Sequence, residues 1–277
     1  MTIKIATLLS VYRGDSGHKL SVALDSILQQ KLGEDVESRL YVAVDGPVSS
    51  EVDCALEMRR PNIYRILRLP SNQGLAAALN ALIATLEDEE FVFRMDADDR
   101  SEIHRYQIQL DHFYRFPDTD ILGTDIIEVD EAGGCVRRVS YALDHGQALT
   151  ALCRGVPVAH PTVCFRRKVL DVVGGYPMSG TNEDIALWFR CAELGFRFGN
   201  VPRALLYFTV SSSFWHRRGF KKSISELRCY VLGIWRLEGV TWKYIFPILR
   251  FMLRCAPSPI VRWFYMSSLR SGCKTSE

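Results

Sequence analysis

Little in this chain restricts it to a special class. Its eight cysteines (54, 135, 153, 164, 191, 229, 255 and 273) form no C-x-x-C pair, which argues against a zinc or redox motif. Several sit in apolar runs, as expected of reduced and mostly buried thiols in a cytosolic protein. No stretch approaches the ~18 uncharged apolar residues that spanning a bilayer requires. Met1 to Leu9 has neither the apolar length nor the cleavage site of a signal peptide, so no leader is expected. Repeats and low-complexity segments are missing. The formal net charge is only +2, so no nucleic-acid partner is expected.

What is present is enough apolar material for a large core: 48% hydrophobic residues in a chain of 277, sufficient for one sizeable α/β domain with an appendage. Charge is unevenly spread. Between Arg217 and Arg270 eleven Lys/Arg face two acids, Glu226 and Glu238, an excess of nine where the whole chain carries +2. The remainder is therefore net negative, and the basic C-terminal segment points to a surface partner.

Strand-like and helix-like patterns alternate over about the first 120 residues. Ile3 to Val11, Leu40 to Val44, Tyr64 to Leu69 and Phe91 to Met95 read as buried strands. Helical spacing runs through Leu20, Ala23, Leu24, Ile27 and Leu28, from Leu75 to about Leu86, and from Ile103 to Phe116. Such alternation predicts a mostly parallel sheet covered by helices. Thr119 to Val139 reads as short strands around a turn, followed by an irregular stretch to Gly155. His160 to Phe165 reads as a strand, and Phe196 to Phe208 as several short ones. Glu183 and Asp184 open a helix that ends at Gly195.

The strand at Phe91 ends in Asp96-Ala97-Asp98-Asp99. Ligands of open α/β sheets bind beyond the carboxyl ends of strands. Three carboxylates this close repel one another, and oxygen donors of this kind suit Mg²⁺ or Mn²⁺. An acidic turn capping the next helix explains the same residues. Other strand ends carry Ser10 and Tyr12, Asp45-Gly46, and Asn72-Gln73-Gly74. Asp45 could accept hydrogen bonds from a base or ribose. Gly74 at a helix start could let backbone N–H groups approach a phosphate. Each is equally consistent with a turn or a cap.

Taken together, these blocks resemble the family 2 glycosyltransferases with the GT-A fold, of the kind that build bacterial surface polysaccharides. Leu8 to Tyr12 is similar to the family's opening strand and donor loop, Asp45-Gly46 to its second-strand Asp-Gly, and Asn72 to Leu75 with Ala76 to Asn80 to its Asn-x-Gly-Leu helix start. Met95 to Asp99 resembles its DxD motif. His160-Pro161-Thr162, Gly174-Gly175-Tyr176 and Glu183-Asp184 with Leu187, Trp188 and Arg190 resemble its acceptor half. The likeness covers roughly residues 3 to 220. Tyr12-Arg13, Val44 to Pro47 and Phe208 depart from the usual Tyr-Asn, Asp-Asp-Gly-Ser and Arg.

The resemblance implies a GT-A, Rossmann-like, mixed but mostly parallel sheet. It also implies inversion by single displacement from a UDP-sugar, carrying a hexose or N-acetylhexosamine, to a lipid-linked saccharide. It divides the chain into a catalytic domain at 1–219 (donor half 1–117, acceptor half 118–219) and a membrane-associating segment at 220–277. Donor contacts fall on Ser10, Tyr12, Asp45, Asn72, Gly74, Asp96, Asp98, Arg217 and Arg218. Metal ligation by Mn²⁺ or Mg²⁺ falls on Asp98, Asp99 and His216. Asp184 is the expected base with Glu183 beside it, because the acceptor hydroxyl must lose a proton opposite the leaving group. His160 and Trp188 are expected to shape the acceptor pocket. A nucleotidyltransferase is the alternative enzyme, but Tyr12 to Asp15 is a poor basic phosphate loop. A non-catalytic scaffold of a polysaccharide assembly complex is the third reading, against which stand Asp45, Asp96, Asp98, Asp99 and Asp184.

After Gly219, Trp242, Tyr244, Phe246, Phe251, Trp263, Phe264 and Tyr265 interleave with Lys243, Arg250, Arg254 and Arg262, and Pro257 and Pro259 interrupt the pattern. This predicts peripheral attachment to the inner face of a bacterial inner membrane, where anionic lipids attract interfacial basic residues. A helical pair packed on the catalytic domain, its arginines merely solvated, is the other reading.

Overall fold

The computed structural model describes residues 2–178, 182–210 and 220–255. Four buried strands, β1 (Ile3–Tyr12), β2 (Val36–Asp45), β3 (Arg65–Leu69) and β4 (Phe91–Met95), pair in parallel in the order β3-β2-β1-β4. All five residues of β4 are buried, which is why it reads as a continuous apolar run and not an alternating one. The helices α1 (Gly17–Leu28), α2 (Ser50–Glu57), α3 (Leu75–Ile83) and α4 (Arg105–Arg115) connect or follow these strands.

Beyond β4 the sheet changes character. The short strand β5 (Arg100–Ser101) and the strands β6 (Ile121–Val129), β7 (Cys135–Val139), β8 (Cys164–Arg166) and β9 (Phe198–Thr209) extend it to the order β3-β2-β1-β4-β8-β6-β9-β5, with β7 pairing β6. β8 runs antiparallel to both β4 and β6, and β9 runs parallel to β6. The sheet is thus mixed, and its uninterrupted parallel part is confined to the first four strands.

Three sequence expectations change here. His160 to Thr162 forms a 3-10 turn, and only Cys164–Arg166 is strand; Pro161 cannot donate to a ladder. Residues 145–152, expected to be irregular, form α5 (His145–Leu152), capped by the Asp144 carboxylate accepting from the Gln147 N–H at 2.9 Å. Phe196 to Phe208, expected as several short strands, holds one long strand, Phe198–Thr209.

The sheet divides two apolar clusters. One holds α1, α2 and α4. The other holds α3, α5, α6 (Arg167–Val173), α7 (Glu183–Glu193) and the inner face of α8 (Phe220–Glu238). Tyr230 and Ile234 of α8 are fully buried in that second cluster. Gly233 allows the close approach: a Cβ there would lie 2.2 Å from the Phe189 ring. Most of α8 is therefore packed onto the body that precedes it. Three described cysteines (153, 164, 191) are buried, but Cys54, Cys135 and Cys255 are exposed, so the thiols are less buried than expected. Cys54, Cys153, Cys164, Cys191, Cys229 and Cys255 form no disulfide.

Candidate active site

The first three strands end together, and their loops are tied to one another. Gly46, with φ +81°, turns the chain immediately after β2, where a Cβ would meet the Asn72 backbone nitrogen at 2.5 Å. Both carboxylate oxygens of Asp45 accept backbone N–H groups from the neighbouring loop, Gln73 at 2.7 Å and Gly74 at 2.8 Å. Asp45 is only 2% exposed. Asp45, expected to accept from a base or ribose, already has one loop N–H on each oxygen, and these bonds shape the loop that leads into α3. Asn72 stays exposed beside it, its amide donating to the Asp45 carbonyl at 3.3 Å. Ser10 is half-buried near the end of β1. Tyr12 is exposed, its N–H bound to the Asp15 carboxylate at 2.8 Å.

Beyond β4, Asp96, Asp98 and Asp99 converge, with one carboxylate oxygen of each lying within 4.8 Å of the others. Asp96 is clasped through both guanidinium nitrogens by Arg94, a buried residue of the strand itself. Asp99 is fully buried; one oxygen accepts the Thr209 N–H at 2.9 Å and the other has no partner. Thr209 Oγ1 also donates to the Asp98 carbonyl at 2.5 Å, so the end of β9 braces the acidic loop. Burial first, then the charge of Asp96, raises the pKa of Asp98, and the same causes push Asp99 well above the ordinary carboxylate range. Arg105, fully buried on α4, donates to the Arg94 carbonyl at 3.0 Å and supports the loop from below.

A buried oxygen with no partner inside a converging carboxylate set is what a hard divalent cation would satisfy. The residues fit such an ion.

The second half of the site forms at the start of α7. Glu183 and Asp184 occupy its first turn, where free backbone N–H groups favour anions. Burial nevertheless raises both pKa values, outweighing backbone hydrogen bonds and the nearby Arg94 charge. Arg94 thus acts electrostatically on the acidic loop and on both α7 carboxylates. It also acts on His160, whose pKa is driven well down, mainly by burial and further by Arg94. Neutral His160 pairs with the Tyr176 hydroxyl at 2.9 Å. Tyr176 is placed by Asn80, whose amide accepts from the Tyr176 N–H at 2.6 Å and donates to its carbonyl at 2.8 Å. This joins two motifs 96 residues apart.

Trp188 requires correction. It is completely buried, stacked near Phe165 and edge-on to His160 at 5.9 Å. It backs His160 and cannot itself touch an acceptor. His216, Arg217 and Arg218 lie outside the described residues, so the expected metal and donor contacts there have no structural counterpart. The residues that sequence reasoning missed are Arg94 and Arg105. Arg94 had a visible signal, a charge inside an otherwise apolar strand, since buried charges are almost always paired.

A curled, mixed sheet with an acidic loop at the end of β4 and a carboxylate pair at the mouth of a facing helix defines a GT-A sugar transferase. The chain belongs to that class's glycosyl transferase family 2, whose model matches residues 10–174. It is 28% identical over 264 residues to an amylovoran biosynthesis glycosyltransferase of Erwinia amylovora, covering 94% of this chain and 97% of the relative. It is also 28% identical over 274 residues, 97% of this chain and 98% of the relative, to the UDP-Gal:alpha-D-GlcNAc-diphosphoundecaprenol beta-1,3-galactosyltransferase of Escherichia coli. Among solved structures, S. aureus TarS 1–349 in complex with UDP matches with a TM-score of 0.64 at 16% identity, over 94% of this chain and 78% of that one. The mannosyltransferase PcManGT from Pyrobaculum calidifontis, in complex with GDP-Man and Mn²⁺, matches with a TM-score of 0.61 at 13% identity, over 97% and 80%.

Proposed function

We propose that this chain is an inverting, metal-dependent hexosyltransferase. It moves a hexose or N-acetylhexosamine from a UDP-sugar to a lipid-linked saccharide during bacterial surface-polysaccharide synthesis. The observation that carries the reading is the pairing, across Arg94, of the acidic loop after β4 with the two carboxylates that open α7. A nucleotide-binding module has no use for the second acidic pair. The relative whose acceptor is a diphosphoundecaprenol-linked sugar, similar over nearly the full length, supports the substrate class.

In this reading Asp184 takes the proton from the acceptor hydroxyl as that oxygen attacks the anomeric carbon, and UDP departs from the opposite face. Its raised pKa matches it to that task. Glu183 orients the acceptor. Arg94 holds Asp96, and burial, with the Arg94 charge added to it, keeps His160 neutral, so that His160 and Tyr176 present a fixed, uncharged wall. Asp98 and Asp99 would hold Mn²⁺ or Mg²⁺, which supplies charge stabilisation for the diphosphate leaving group. The test is a panel of nucleotide sugars offered with a lipid-diphosphate saccharide, following nucleotide release with and without chelator. Release should be fastest with one UDP-sugar and should fail in excess EDTA. Full activity in chelator overturns the metal assignment.

The C-terminal helices support peripheral membrane contact, though not through the arginines. Arg250 and Arg254 of α9 (Ile245–Cys255) both pair with Glu226 of α8, and Arg250 also donates to the Tyr230 hydroxyl at 3.0 Å. That face of α9 is turned inward. Ile245, Ile248, Leu249, Met252 and Leu253, spaced as one helical stripe, are exposed, with Trp242, Val240 and Trp235 nearby in sequence and also exposed. No described helix is long and apolar enough to cross a membrane. An outward apolar stripe of this kind suits the lipid interface. The full chain should float with anionic liposomes at low salt, and Ile248→Asp with Met252→Asp should remain at the bottom of the gradient. If the full chain also stays down, the stripe is covered within the protein.

A further inference from the structure

Beside the α7 carboxylates lies a cavity of about 790 Å³, walled by α7, by α8 and by the Val173 to Pro177 segment. Two kinds of side chain line it. Arg190, Arg228 and Arg236 contribute three positive charges, against the single carboxylate of Glu193. Val173, Phe189 and Leu232 contribute apolar wall. Arg190 is paired with Glu193 at 3.0 Å. Arg228 and Arg236 are exposed and form no ion pair with any described residue. They stand at i and i+8 on α8, with Leu232 midway, so all three occupy one face of the helix.

One end of this cavity lies near the start of α7, where Glu183 and Asp184 stand, although neither carboxylate lines it. Ala186 of α7 and Cys229 of α8 line it, and the Cys229 thiol, pushed up to about 11 chiefly by burial, feels the Asp184 charge. Arg190 lies six residues beyond Asp184 on the same helix, about 9 Å along its axis. The other end passes Leu232 and Arg236. Leu232 is itself exposed, as is Trp235 next to Arg236, so the cavity opens towards the exposed apolar residues of the C-terminal helices.

A ligand suited to this cavity pairs an anionic group, held by the arginines, with an apolar chain against Phe189 and Leu232. We propose that the cleft between α7 and α8 is the subsite for the diphosphate and first isoprene units of a polyisoprenyl diphosphate-linked acceptor, with Arg228 and Arg236 binding the diphosphate. This rests on the lipid-linked acceptor argued above and adds where that lipid is held. Arginine suits the role, since its planar donor fork matches phosphate oxygens. The terminal sugar then lies between the diphosphate and Asp184, and the first isoprene units cross Leu232, between the two arginines, and leave the cavity beside Trp235 towards the lipid surface.

The experiment measures binding of farnesyl diphosphate to the full chain saturated with UDP and Mn²⁺, so that the donor's own diphosphate site is filled. Farnesyl diphosphate should bind at least tenfold more tightly than either inorganic pyrophosphate or farnesol. Arg228→Gln with Arg236→Gln should weaken it at least tenfold while leaving UDP affinity unchanged, and Arg228→Lys with Arg236→Lys should recover part of the loss. Both positions are exposed, so the fold should survive, which an unchanged melting temperature would verify. In the transfer assay the Gln pair should raise KM for the lipid-diphosphate acceptor and leave kcat nearly intact. Farnesyl diphosphate binding that is equal in the wild type and the Gln pair overturns the subsite. Transfer to a diphosphate-free saccharide as efficient as to the lipid-linked one overturns the acceptor reading itself, whatever the binding result.

Discussion

Asp184→Asn should reduce turnover by ~10²–10⁴-fold, the usual effect of losing a positioned base, while barely altering the melting temperature. The substitution keeps side-chain size, and Asp184 sits in the first turn of α7 and not at its cap position. An amide also relieves the burial that raises the Asp184 pKa. KM for the UDP-sugar should not change, because the proposed donor contacts lie on the loops after β1 to β4 and not on α7. In the wild type, the base works only when ionised, and its pKa is raised above the usual ~3.9. Activity should therefore fall as the pH drops through a value raised above that of an ordinary aspartate, and the Asn variant should lose that acidic limb. Glu183→Gln is the control and should retain more activity. A dead Glu183→Gln beside a near-normal Asp184→Asn would exchange the two roles.

Asp98→Ala should give the second large effect, a loss of roughly 10²–10³-fold, as expected when several kcal/mol of leaving-group stabilisation disappear. The fold should not suffer. Without a cation, Asp98 and Asp99 are held in surroundings that favour their protonated forms. A carboxyl whose folded pKa exceeds its unfolded value weakens the fold progressively as pH rises through that window. Metal-free wild type should thus be less stable at neutral pH than these groups would allow in mild acid, and removing Asp98 should leave the melting temperature equal or higher. Adding Mn²⁺ at about a hundred times its Kd should stabilise the wild type by ~2.7 kcal/mol, with a much smaller response from Asp98→Ala. Equal cation-induced shifts in both proteins would place the ion elsewhere.

The alternative enzyme reading fares poorly in the structure. A nucleotidyltransferase of the kind considered would present a basic loop after the first strand. Here that loop folds back on itself through Asp15, which accepts from the Tyr12 N–H, and Tyr12 lies so close over Gly14 that a Cβ there would touch its ring.

The order of the four parallel strands, the helices α1, α3 and α4, the acidic strand end and the carboxylate pair opening α7 were legible in the sequence, whereas α2 (Ser50–Glu57) was not read from it. They depend on local signals: unbroken apolar runs for strands buried on both faces, apolar spacing near 3.6 for helices, and charge where an element ends. The family followed from the succession of those blocks. Tertiary structure alone decided what each polar residue does. Asp45 read as a residue at a strand end that could accept hydrogen bonds, and only the approach of the Asn72 loop shows that each of its oxygens already holds a backbone N–H. Trp188 stands one helical turn beyond Asp184, on the same face, yet it is packed completely into the core against Phe165 and Phe198. The arginines of α9 looked solvated or lipid-facing, and contact with α8 gives them Glu226 as a partner. Arg94 was one charge in an apolar strand until folding placed Asp96, His160 and the α7 carboxylates around it. Local sequence sets period and propensity, which act over a few residues. Electrostatics and hydrogen bonding act through space, between residues tens of positions apart, so their outcome exists only once the chain has folded.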